Sequence, residues 1–140
     1  MELNSILILD DDEDDLEMIE KCWQELKITR PIVFFKSGSE LMAYLRDTPM
    51  SPYFILSDVN LHGETGFDVR KRIADDPELK YKSMPFLFWS TSASEKQIQH
   101  AYDLPAQGFF VKPSNFAELC NTFETIIDYW QKSQHPKQLQ

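Results

Sequence analysis

The sequence predicts a doubly wound α/β domain: a five-stranded parallel sheet with helices on both faces. Five apolar runs of roughly four to six residues recur along the 140-residue chain, and each is followed by a segment whose apolar residues repeat at helical spacing. The runs are continuous rather than alternating, as expected of strands covered on both sides. Parallel strands in turn need helical crossovers, which are right-handed.

Taken in order, Ile6-Leu7-Ile8-Leu9 is the first strand and ends in Asp10, Asp11 and Asp12. Leu16, Ile19, Trp23 and Leu26 then mark a helix, with Glu13, Asp14 and Asp15 in its first turn, where negative charge suits the helix dipole. Pro31 to Phe35 is the second strand, and Ser37 with Glu40 forms a capping-box pattern for a helix carrying Leu41, Met42 and Leu45. Tyr53-Phe54-Ile55-Leu56-Ser57-Asp58 is the third strand, followed by a loop through Gly63 and Gly66 and a short helix from Phe67 to Ile73. Pro85 to Trp89 is the fourth strand, ending in Ser90-Thr91-Ser92. Ser92 and Glu95 have capping-box spacing ahead of a helix with Ile98, Ala101 and Tyr102. Gly108 to Val111 is the fifth strand and closes on Lys112-Pro113. Ser114 or Asn115 opens the last helix, striped by Phe116, Leu119, Phe123, Ile126, Ile127 and Trp130. The expected organisation is one domain over residues 1–131 and a polar, frayed tail over 132–140.

The net charge of −9 argues against a nucleic-acid face, which needs a basic patch. Cys22 and Cys120 lack metal-ligand spacing and read as small buried hydrophobes in a reducing compartment, in preference to a disulfide. The N-terminus shows neither a signal peptide nor a membrane span, so a cytoplasmic location and no membrane partner are expected.

In an open α/β sheet the ligand crevice lies beyond the carboxyl ends of the strands. If the first, third, fourth and fifth strands lie side by side, Asp10, Asp11, Asp58, Ser90 and Lys112 meet there. Carboxylates so close repel, and either proton uptake or a bound cation relieves them. All-oxygen ligands favour Mg²⁺ or Mn²⁺ over zinc. An ammonium and a hydroxyl suit the oxygens of a transferring phosphoryl group, with Asp58 as the acceptor nucleophile.

The ordered set Leu-Asp10-Asp11, Asp58-Val-Asn-Leu-His-Gly-Glu-Thr-Gly66, Trp-Ser90-Thr and Phe109-Phe-Val-Lys112-Pro113 resembles the receiver domain of bacterial response regulators, from about Ile6 to about Trp130. The resemblance implies a flavodoxin-like strand order, 2-1-3-4-5, for which a chemotaxis member of this family is a standard example. It also implies that Asp58 accepts a phosphoryl group from a phosphohistidine. Asp11 would bind Mg²⁺ directly, Asp10 would support it, and Asp58 with the Asn60 carbonyl would complete the protein's ligands. Lys112 would pair with the phosphoryl group and Ser90 hydrogen-bond it. Phe109 would be the aromatic switch partner of Ser90, and the peptide before Pro113 would be cis. His62 stands where the family usually has proline and Thr91 where it usually has alanine, neither touching the core chemistry. Asn60 and Ser92 match positions that tune the lifetime of the phosphoryl group.

Plainer readings fail only collectively. Lys112 alone would be a surface lysine, Ser90 a satisfied strand-end hydroxyl, and Asp10 to Asp15 a solvated helix start. A calcium loop is excluded by Asp15 at the glycine position and Lys21 at the glutamate position. His62, His100 and His135 are too scattered to hold a metal. The expected function is a stand-alone response regulator, phosphorylated by a sensor histidine kinase or a phosphotransfer protein. It catalyses only its own phosphorylation and dephosphorylation, and signals by binding a downstream protein, with homodimerisation left open. The rivals are a Mg²⁺-dependent phosphohydrolase of haloacid-dehalogenase type, using Asp10, and a receiver-like module that is never phosphorylated. The surface of the fourth helix, fifth strand and fifth helix is the expected partner face.

Overall fold

The computed structural model describes residues 3–136. Its elements are β1 (Ile6–Leu9), α1 (Glu13–Leu26), β2 (Ile32–Phe35), α2 (Gly38–Asp47) and β3 (Phe54–Asp58). They continue with β4 (Asn60–Leu61), β5 (Glu64–Thr65), α3 (Gly66–Ala74), β6 (Phe86–Ser90), α4 (Glu95–Asp103), β7 (Gly108–Val111) and α5 (Phe116–Lys132). Five strands form one parallel sheet in the order β2-β1-β3-β6-β7. Counting only the strands of this sheet, that is 2-1-3-4-5, the doubly wound order the resemblance implied.

Continuous apolar strands divide their side chains between two cores. Ile6, Ile8, Phe54, Leu56, Leu87 and Trp89 pack with α1 and α5 on one face. Leu7, Leu9, Ile55, Phe86 and Phe88 pack with α2, α3 and α4 on the other. Each such side chain contributes about 1.5–3 kcal/mol on burial, so both helical layers are held by the sheet between them.

Helix starts follow local hydrogen bonding. Asp12 caps α1 by accepting from the Asp14 and Asp15 amides, and Ser37 caps α2 by accepting from Glu40 N–H. Asn115, not Ser114, caps α5. The α4 start differs from the expected Ser92 and Glu95: Ser94 and Gln97 make the reciprocal box. β6 runs on to Ser90, and Thr91 to Ala93 are used in crossing to the helix. The loop after β3 is a small antiparallel hairpin, β4 with β5, turned at His62-Gly63 with Gly63 at φ +74°.

Two expectations are corrected. The Lys112–Pro113 peptide is trans; the cis bonds among the described residues are Met84–Pro85 and Leu104–Pro105. The trans preference of an X–Pro bond is only about 0.5–1 kcal/mol, and Lys112 is anchored on its own side of that bond, its N–H donating to Ser90 O at 2.7 Å. The tail is docked, not frayed, as far as His135, whose Nε2 lies 2.7 Å from Tyr53 O and whose ring packs on Tyr53 and Trp130. Residues 137–140 lie outside the described residues.

Candidate functional site

Register alone brings the acids together. Leu9 pairs with Ser57, so Asp10 and Asp58 follow at the same level of neighbouring strands. On the other side Asp58 pairs with Trp89, and Ser90 with Val111, which leads into Lys112.

Asp58 is 6% exposed. Its Oδ1 accepts from Asn60 N–H at 3.1 Å and its Oδ2 from Lys112 Nζ at 2.9 Å. The same ammonium lies 2.6 Å from Asp15 Oδ2 and 3.3 Å from Asp10 Oδ2, and packs over the Trp89 ring. Asp10 is fully buried; its Oδ1 accepts from Asp12 N–H at 2.9 Å, whereas Oδ2 has no hydrogen-bond partner. Ser90 Oγ, also buried, is likewise without a partner. The backbone under Asp58 needs a glycine, because a Cβ on Gly66 would stand 2.2 Å from Asp58 O.

These surroundings shift two groups strongly. Burial pushes the Asp10 carboxyl up to about 7, against the opposing pull of Asp12 N–H and of Lys112. Burial alone would lower the Lys112 ammonium, but the hydrogen bonds to Asp15 and Asp58 and the charges of Asp10 and Asp58 outweigh it and hold Lys112 above the ordinary lysine range.

Asp10, Asp58, Ser90 and Lys112 therefore converge. Asn60 reaches Asp58 through its amide, and half-buried Phe109 packs toward Phe88 in the second core, with ring centroids 6.4 Å apart. Asp11 is turned aside: its Oδ2 accepts from His62 N–H at 2.5 Å. The His62 backbone amide thus holds Asp11, and a proline there would have no N–H to give. Asp15, whose place in the first turn of α1 suits the helix dipole, also belongs to the site. It lies four and seven residues before the buried Ile19 and Cys22, a spacing that puts it on the sheet-facing stripe; that spacing was the signal for it.

Asp10, Asp15 and Asp58 each offer an oxygen, all within 4.8 Å of one another. An all-oxygen donor set in which the buried Asp10 Oδ2 makes no hydrogen bond fits a hard divalent ion such as Mg²⁺ or Mn²⁺.

A doubly wound sheet with carboxylates, a hydroxyl and a lysine at adjoining strand ends is the architecture of a phosphoacceptor signalling domain. The chain belongs to the response regulator receiver domain family, whose model matches residues 6–124. It is 26% identical over 129 residues to the probable methanogenesis regulatory protein FilR2 of Methanothrix harundinacea, covering 89% of this chain and 82% of that one. It spans only 36% and 56% of the length of two chemotaxis relatives. Among solved structures, the phosphorylated cyanobacterial phytochrome response regulator RcpA is 29% identical with a TM-score of 0.83, covering 96% of this chain and 99% of its own. The Mn²⁺-bound form of response regulator Rcp1, 23% identical with a TM-score of 0.78, covers 96% and 99% and shares the fold. Receiver domains are signalling proteins of two-component systems. They are phosphorylated on aspartate by histidine kinases or phosphotransfer proteins and bind Mg²⁺ or Mn²⁺ at an acidic cluster. Among the described residues no helix is long and apolar enough to cross a membrane.

Proposed function

We propose that this chain is a cytoplasmic receiver, with the domain over residues 1–131 and a polar tail over 132–140, that accepts a phosphoryl group on Asp58 and signals by phosphorylation-dependent protein binding. The observation that carries this reading is the Lys112 ammonium 2.9 Å from Asp58 Oδ2, beside the buried, unpartnered hydroxyl of Ser90. Asp58 is the nucleophile. Lys112 neutralises the phosphoryl oxygens, leaving part of its present pairing with the carboxylates, and Ser90 donates its hydroxyl proton to one of those oxygens. Asp10, Asp11 and Asp58 with the Asn60 carbonyl would hold Mg²⁺, which supplies further positive charge opposite the phosphoryl oxygens. That assignment leaves Asp15 with Lys112, its shortest ion pair. Movement of Ser90 toward the phosphoryl group opens space for Phe109, which has no hydroxyl and so reports by ring packing alone.

A haloacid-dehalogenase type of chemistry is disfavoured by Asp10, which is wholly buried, whereas Asp58 retains 6% exposure. The phosphoryl donor is a sensor histidine kinase or a phosphotransfer protein, and the downstream partner is a protein. Incubation with acetyl phosphate and Mg²⁺ adds one acid-labile phosphoryl group to the wild type, read by intact mass, and none to Asp58→Asn. Equal labelling of the two overturns the assignment.

A further inference from the structure

We propose that Cys22 and Cys120 form a redox modification site, which oxidation by a peroxide converts into an intramolecular disulfide stapling α1 to α5. They are the only two cysteines of the chain. They lie 98 positions apart on different helices, yet their sulfurs are 2.8 Å from each other. Both thiols are free, and their separation is only about 0.8 Å beyond a disulfide bond. The helices are held at that approach by the neighbouring Trp23 and Phe123, whose rings meet edge to face at 5.1 Å, so closing the bond requires little rearrangement.

The roles differ by access. Cys22 is fully buried, whereas Cys120 retains 7% exposure, so Cys120 meets the oxidant first. Its thiolate attacks one oxygen of the peroxide, breaking the O–O bond and giving a sulfenic acid and hydroxide. The Cys22 sulfur then attacks the Cys120 sulfur and displaces the second hydroxide as its own thiol proton leaves. The two thiols lose two electrons and two protons, and hydrogen peroxide becomes two waters. The staple also joins the two elements that flank the acidic site: Cys22 lies seven residues beyond Asp15, and Cys120 eight beyond Lys112. This inference stands apart from the phosphoryl chemistry.

The full chain is treated with hydrogen peroxide, quenched, denatured and exposed to iodoacetamide. Intact mass is expected to show a monomer two hydrogens lighter with no alkylated thiol, and dithiothreitol restores two. Thermal unfolding of the oxidised form is expected at higher temperature, reversed by the reductant. Cys22→Ala and Cys120→Ala, two independent single-thiol variants, give no such monomer. Two alkylatable thiols in the treated wild type, a sulfinic acid on Cys120, or disulfide-linked dimers in place of the lighter monomer overturn the proposal.

Discussion

Asp10 and Lys112 face each other across the site under opposite constraints. Lys112 keeps its charge because three carboxylates surround it. The contrast is Arg70, fully buried, whose partners Pro105 O and Ser83 Oγ are neutral and whose guanidinium is lowered to about 10 by burial. Asp10 bears the desolvation penalty on the acidic side. Its carboxyl titrates at about 7 in the fold against 3.8 in the open chain. Below 3.8 both states are protonated and burial costs nothing electrostatic. As pH rises from there to about 7 the unfolded chain releases its proton and the fold does not, so stability is lost, on the order of 4 kcal/mol if nothing compensates. Asp10→Asn is therefore expected to be more stable than the wild type at pH 8 without divalent ions, with the difference shrinking toward pH 4. Urea unfolding midpoints across that range check it, and parallel pH profiles for the two proteins would contradict the burial argument.

At the level of elements, the start of α3 is built against the acceptor strand. Gly66 N–H donates to Val59 O at 2.8 Å, and an added Cβ would meet Asp58 O at 2.2 Å and Ser57 Oγ at 2.8 Å. Gly66→Ala is expected to cost about 1–3 kcal/mol as overpacking and to displace Asp58, so both the unfolding temperature and acetyl phosphate labelling fall. Gly63→Asn, in open space at a left-handed φ that asparagine tolerates, leaves labelling unchanged; an equal loss in both variants would show that general destabilisation is responsible. The elements themselves were legible because continuous apolar runs and 3.6-residue stripes record burial directly. The finer features were not. Ser92 with Glu95 and Ser94 with Gln97 have the same spacing, and only the reach of the loop selects between them. A two-residue strand such as β4 is too short to leave a period. The isomer before Pro113 rests on a preference smaller than the surrounding contacts, and the diversion of Asp11 rests on a backbone amide that no side-chain pattern encodes. Strand order likewise came through family resemblance, since apolar runs do not name their neighbours.

For the molecule as a whole, the excess of negative charge is not spread evenly. Net charge is −9, and Asp10, Asp15 and Asp58 gather at one end of the sheet with Lys112 as their shared cation. Anything that binds that end in the folded state alone raises stability by mass action, about 2.7 kcal/mol at a concentration one hundred times its Kd. In a domain of this size that corresponds to a rise of roughly 5–10 °C in Tm. Mg²⁺ is therefore expected to raise Tm along a saturating curve at fixed ionic strength, and the curve is expected to flatten in Asp58→Asn and in Asp11→Asn. Sodium chloride at matched ionic strength screens the diffuse charge of the whole surface but does not bridge neighbouring carboxylates, so it should give a small rise without saturation. If sodium and magnesium produce the same rise, the acids merely repel one another and do not form a divalent ion site. If Asp15→Asn, but not Asp11→Asn, removes the saturating response, Asp11 stays on His62 N–H and the ion is held by Asp10, Asp15 and Asp58.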